Sequence, residues 1–449
     1  MNPIDFIAAS IVLVGLLVNI NPLISIVAIG VAALRGTSTR LLKGIGFKKV
    51  EWALVLCLSY WLASYLWSTA DFENLVSYDF LRNDGAMLIS YSAFIFFLGW
   101  PLKVRECRAF WILFLTALSA VAFMGLAQVF NLPYSGIFAP LGLIGENRGE
   151  GGAGDMFVGW FKAHNTAGGV YAIAAVLALA FLQEAGLGWK ERVFRWTLFM
   201  SCLGGLAQTY SRGAYFGFVV GAAIVFPLRK LRKNFRIAVS IAVPILLIVV
   251  MSNSLIARID TISDPYYGNN ADRIVLWKEA LQDFADSPLI GMGYGRFNDV
   301  GLQYWGSKGI IWVAIRGRIV NSDNHAHNSY LHFMAEGGIV GLWLTMFVWW
   351  AAYKELSFFT SHFPRSKLYW LERGAIGGLV VALVQALTEH MIGRGSVVLV
   401  LDALIGLTLA TARMEAKAAK ASQPKASPSP GARLIPARAR RAPLPVPQL

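Results

Sequence analysis

Imidazoles and guanidinium groups gather in this chain beside stretches of apolar sequence. The residues are Lys162 and His164, Arg212 in the turn Tyr210 to Gly213, Arg273, the cluster His325, His327, His332 and Glu336, and then Glu389, His390 and Arg394. Neutral imidazole, with an unperturbed pKa of about 6.5, accepts a hydroxyl proton near neutral pH. Arginine stays charged and presents a planar fork that grips phosphate oxygens two at a time. The pairing suits transfer of a group away from a phosphate or diphosphate to a hydroxyl.

Each residue also has a plainer reading. Arg212 would serve as a helix-end residue reaching for the membrane surface, and Arg273 as a solvated or helix-pairing charge. His332, five residues beyond His327, points to another helix face, and Glu336 either orients an imidazole or closes a hydrogen-bond network. His325, His327 and His332 lack a helical i, i+4 ligand pair and the carboxylate of a HExxH setting, so no metal is expected. The glycine run GMGYGRF (Gly291 to Phe297) follows no strand, which predicts a loop of tight turns rather than a nucleotide site.

The elements that must position these groups are membrane helices. The chain has 449 residues, 56% hydrophobic and 15% charged, against about 25% charged in soluble domains. Apolar runs between charged or Gly/Pro breaks predict an all-α polytopic membrane protein of about twelve spans. They cover 4–19, 21–34, 50–67, 85–100, 109–129, 165–183, 194–209, 213–228, 235–252, 331–353, 371–389 and 394–412. The first two are short enough to be a hairpin or one broken span. Met1 to Asp5 lacks the basic n-region of a cleaved signal, so the first apolar stretch is expected to remain.

Lys and Arg collect in the loops 35–49, 101–108, 229–236 and 354–370, which are therefore expected in the cytoplasm. The long segment 253–330 then faces the periplasm or exterior, before the last three spans. The candidate chemistry falls on that same side. Within the loop, Ile274, Trp277, Leu281 and Phe284 recur at steps of three and four, predicting a helix over 272–286 whose apolar stripe packs over the bundle or lies on the membrane. We expect a transmembrane unit over 1–412 and a basic, Pro/Ala-rich disordered cytoplasmic tail over 413–449. The tail holds eight Lys/Arg and one Glu, contributing +7 of the net +14, and suits contact with anionic lipid headgroups. No aromatic interleaving or fold signal points to nucleic acid. Cys57, Cys107 and Cys202 read as small core residues, and no inverted repeat of the transporter kind is visible.

The stretch NHAHNSYLHFMAEGGIVGL (Asn324 to Leu342) resembles the O-antigen ligase family, with His327, Asn328, Gly338 and Gly341 fitting its pattern. The turn SRGAYFG (Ser211 to Gly217) and the stretch DRIVLWKEALQDFADSPLIGMGYGRF (Asp272 to Phe297) resemble its other landmarks, and the likeness covers most of residues 50–412. It implies a GT-C-like membrane glycosyltransferase of the bacterial inner membrane, with its active site facing the periplasm. The donor would be a glycan on undecaprenyl diphosphate and the acceptor a sugar of lipid A core, with inversion and without cofactor or metal. His327 would be the catalytic base, and Arg212 and Arg273 would bind the diphosphate. His325, Asn328, Glu336, Lys162, His164, His390 and Arg394 would support them. The same superfamily includes O-antigen polymerases and O-linked protein oligosaccharyltransferases, and the doubled histidine of HAHN is similar to the latter. A transporter of lipid-linked sugars is the reading from another class, disfavoured because the ionisable groups concentrate at one face.

Overall fold

The computed structural model describes residues 3–17, 22–44, 46–69, 85–129, 132–133, 135–141, 143–145, 156–161, 163–226, 268–297, 325–393 and 395–422. Twelve α-helices lie among them: α1 (Pro3–Leu17), α2 (Pro22–Lys43), α3 (Lys49–Thr69), α4 (Gly85–Leu98), α5 (Val104–Val129), α6 (His164–Leu182), α7 (Trp189–Gln208), α8 (Arg212–Val225), α9 (Gly268–Asp286), α10 (Ser329–His362), α11 (Tyr369–Gln385) and α12 (Gly395–Ser422). The two strands are a two-residue pair, Ile144–Gly145 against Met156–Phe157. Six helices, α2, α3, α5, α6, α10 and α12, are long and apolar enough to cross a membrane. The architecture is that of a polytopic helical membrane protein. The helix expected over 235–252 and most of the expected long loop lie outside the described residues.

Helix α6 is apolar on every face and is buried continuously from Thr166 to Phe181, as a central helix should be. Small residues let α8 and α11 close on it and on each other. A methyl group on Gly221 would stand 2.8 Å from the Gly377 carbonyl, and one on Gly374 would stand 2.7 Å from the Leu177 side chain. Where lipid removes the hydrophobic gain between helices, such close backbone approach is how they pack.

Helix α10 is broken at Gly338, where a φ of 58° is combined with an extended ψ, a backbone conformation accessible essentially to glycine alone. The break frees backbone groups in an apolar setting, and the turn 287–293 takes them up. Met292 and Gly293 donate their N–H groups to the Ala335 and Glu336 carbonyls, while Ile339 and Val340 donate to Pro288 and Leu289, all at 2.9–3.2 Å. Tyr60 adds a hydroxyl bond to Gly337 O at 2.7 Å. The run GMGYGRF is thus a loop of tight turns, with Gly291, Gly293 and Gly295 all at positive φ.

At the helix ends away from the histidines, charges pair. Arg413 on α12 reaches Glu51 on α3 and Glu355 on α10, each through two bonds of 2.7–3.1 Å. Arg108 and Arg195 share Glu184 at 2.6 Å. Helix α12 runs through Ser422, past the expected boundary at 412, because Arg413 is a packed residue of the bundle rather than the start of a solvated tail.

The buried face of α9 differs from the expected stripe. Leu276, Glu279, Ala280 and Asp283 are buried against α10, whereas Leu281 is 49% exposed. The face that packs carries two carboxylates beside Leu276 and Ala280, which join Ala335 and Leu331 of α10 in a small apolar cluster. The expected apolar stripe is left partly uncovered, the arrangement suited to a membrane surface.

Candidate active site

Two turns and two helix starts build the site. Asn328 caps α10: its Oδ1 accepts from the N–H groups of Tyr330 and Leu331 at 3.0 and 3.1 Å, and its Nδ2 donates to Leu387 O at 3.0 Å. Ser329 pins that cap to the turn after α11. Its N–H donates to Ala386 O at 2.9 Å, its Oγ donates to Glu389 O at 3.2 Å, and the same Oγ accepts from Ile392 N–H at 3.3 Å. These bonds bring His327, just before α10, and Glu389, in the turn after α11, together.

His327 Nδ1 stands 2.8 Å from Glu389 Oε1. Glu389 is 2% exposed, and its other oxygen accepts from Asn165 Nδ2 at 2.6 Å. Asn165 is held in turn by Gln385, whose Nε2 donates to the Asn165 carbonyl at 3.0 Å. Arg273 on α9 lies 3.7 Å from Glu389 Oε2. The buried carboxylate stands at ion-pair distance from the Nδ1 edge of the imidazole, where it can offset a positive charge on the ring, and Nε2 is the nitrogen left to act as a base.

His325 and His327 have ring centroids 4.4 Å apart, and His325 Nδ1 accepts from the His327 N–H at 3.2 Å. His390 stacks 5.5 Å from His325, and His332 lies 4.2 Å from His390. Glu336, a sequence candidate for orienting the catalytic imidazole, instead meets His332 Nε2 at 3.4 Å. Its Oε1 accepts from Gly295 and Phe297 N–H at 3.0 and 3.3 Å. Glu389 is the carboxylate beside His327, and Asn165 and Gln385 are further members that sequence reasoning did not single out. The only signal for them was their position at the same helix ends.

His164 opens α6, and its Nδ1 lies 3.0 Å from Thr209 O, tying that helix start to the turn before Arg212. Arg212 opens α8, where the N-cap Ser211 makes no side-chain cap bond. The start of α8 rests on the α11 turn, with Gly213 directly against Thr388. Two helix N-termini without side-chain caps therefore flank this region, an arrangement favourable to anions. Lys162 and Arg394 lie outside the described residues.

Only two non-glycine residues have positive φ among the described residues, Tyr210 at 51° and His327 at 47°. Each precedes a helix that begins at the site. Backbone strain of this kind, about 1–3 kcal/mol per residue, persists where the surroundings over-determine it.

Ligand atoms of His325, His327 and Glu389 all lie within 4.8 Å of one another, close enough to hold a metal ion. Glu389 supplies the carboxylate whose absence from the local sequence argued against a metal, so that argument fails. Asn165 already holds one oxygen of Glu389 and Arg273 adds a positive charge beside it, and both work against an ion there.

Residues 197–346 match the family model described as O-antigen ligase. This segment belongs to the O-antigen ligase/polymerase superfamily. The match contains Arg212, Arg273, His327 and Gly338 and ends before Glu389. The match supports activity of the O-antigen ligase or polymerase type, that of membrane glycosyltransferase-like enzymes acting on lipid-linked glycans. No curated protein matches the sequence.

Proposed function

We propose that this chain is an O-antigen ligase that moves a preassembled glycan from undecaprenyl diphosphate to a sugar hydroxyl of lipid A core at the periplasmic face of the inner membrane. The observation that carries the reading is the 2.8 Å contact between His327 and Glu389 at a membrane-helix end flanked by Arg273 and the start of α8. His327 Nε2 takes the acceptor hydroxyl proton as the acceptor oxygen attacks the anomeric carbon. The bond from that carbon to the diphosphate oxygen breaks, with inversion, and the lipid diphosphate departs. Arg212 and Arg273 stabilise the charge that develops on it. Glu389 holds the imidazole in place and offsets the imidazolium that forms.

The Arg273 charge and the Asn165 bond at Glu389 support a metal-independent transfer. The periplasmic placement is supported by the basic residues at the opposite helix ends.

The test is reconstituted transfer from glycan-loaded undecaprenyl diphosphate, offering lipid A core, a pilin-like protein or a second lipid-linked unit, with and without a chelator. Product on lipid A core that survives chelation and is lost in His327→Ala supports the reading. Product only on protein, or only as longer lipid-linked chains, would move the assignment to a protein oligosaccharyltransferase or a polymerase. No product with any acceptor would favour transport.

A further inference from the structure

At the ends of the bundle opposite the His325, His327, His332 and His390 cluster, α10, the start of α11 and the end of α12 enclose a cavity of about 330 Å³, with His362 at its edge. Phe359, Phe363 and a wall of alanines give it an apolar lining, and Glu372, Glu415 and Arg365 supply charge. Glu372 is only 1% exposed, and its Oε2 takes no hydrogen bond among the described residues. Glu415 is steadied by Ser366, whose hydroxyl donates to its Oε2 at 2.9 Å. A buried carboxylate without a partner is costly, so a cavity that keeps one has room for the group that satisfies it.

The geometry points to a binding site for the headgroup of an amine-bearing phospholipid. Its ammonium meets Glu372 and Glu415 between the faces of Phe359 and Phe363, where a cation gains from both carboxylate and ring. Its phosphate meets Arg365, which stands exposed on the rim. Its acyl chains run back along the apolar outside of α10, where Phe358 and Trp350 are exposed. An anionic lipid without an amine would bring its charge to two carboxylates and leave Glu372 unsatisfied. The site stands apart from the transfer chemistry and does not depend on that assignment.

Thermal unfolding of the full-length, delipidated protein in detergent tests this. Phosphatidylethanolamine, phosphatidylglycerol and soluble phosphoethanolamine are added in parallel, and retained lipid is read by native mass spectrometry. Phosphatidylethanolamine is expected to raise Tm by several degrees and to stay bound, phosphatidylglycerol to do neither, and Glu372→Gln to lose the response. Ala416→Phe, which fills the cavity without touching its charges, is expected to lose it too and serves if Glu372→Gln fails to fold. An equal response to both lipids, a response to phosphoethanolamine as large as to the lipid, or a response retained in both variants would overturn the proposal. A response that appears only after removal of residues 423–449 would overturn it as well, by assigning the cavity to the chain's own tail.

Discussion

His327 and Glu389 meet at 2.8 Å although one lies before α10 and the other after α11, because Ser329 is bonded at both its N–H and its hydroxyl to the turn that carries Glu389. If this dyad is the base, loss of either member has a defined cost. His327→Ala should lower the transfer rate by about 10²–10⁴, the usual worth of a general base. Glu389→Gln, which keeps the shape and removes the charge, should lower kcat with little change in KM for the donor. Initial rates with purified donor and acceptor check this, and an unaltered kcat in Glu389→Gln would remove the carboxylate from the mechanism.

The seam between α9 and α10 should respond to pH. Burial, and then the neighbouring carboxylates Glu279, Asp286 and Glu336, push the Asp283 carboxyl up to about 7 against the opposing pull of His332. A raised carboxyl favours the folded state while it stays protonated. The stabilisation is full below the unfolded carboxyl pKa and is lost as pH rises through about 7. Amide protection factors over 268–286, with the intrinsic pH dependence of exchange removed, should therefore fall between pH 5 and 8 in the wild type and stay flat in Asp283→Asn.

Gly338→Ala should destabilise the protein through backbone as much as through contact. Alanine is disfavoured in the glycine's positive-φ conformation, at about 1–3 kcal/mol. Its methyl would also stand 2.6 Å from the Ile290 nitrogen. Thermal unfolding in detergent should show a clear drop in Tm, together with faster proteolysis of the docked turn at 287–293.

Arg413→Ala should destabilise the protein clearly, since it removes two bonds to the buried Glu51 and leaves it only Arg40 at 3.3 Å as a cation. Adding Glu51→Gln to that variant should recover much of the loss. Chemical denaturation of the single and double variants measures the recovery, and strictly additive losses would count against the pairing.

Apolar runs are written locally, and the described helices stand where those runs predict them. The capping amide Asn328 and the glycines around α10 were likewise readable, since φ and capping are local demands. Glu389 was hard to choose over Glu336 because proximity to His327 is set by how α11 seats against α10, and nearness in sequence pointed to Glu336. Helix α9 misled for a similar reason: the stripe of larger apolar residues suggested the packed face, but α10 meets the neighbouring face, where Leu276 and Ala280 fit against Ala335 and Leu331. The end of α12 was hidden because the residue that holds Arg413 lies near the start of the chain.

That last contact also orders events during synthesis. Glu51 and Arg413 are 362 residues apart, so at about 5–20 residues per second the ribosome delivers the arginine roughly 20–70 s after the glutamate. Until then Glu51 has Arg40 of α2, 3.3 Å away, as its cation. The tighter clamp that joins α3, α10 and α12 closes only when the last helix has been inserted, so a chain truncated before α12 would hold its first and late spans together less firmly.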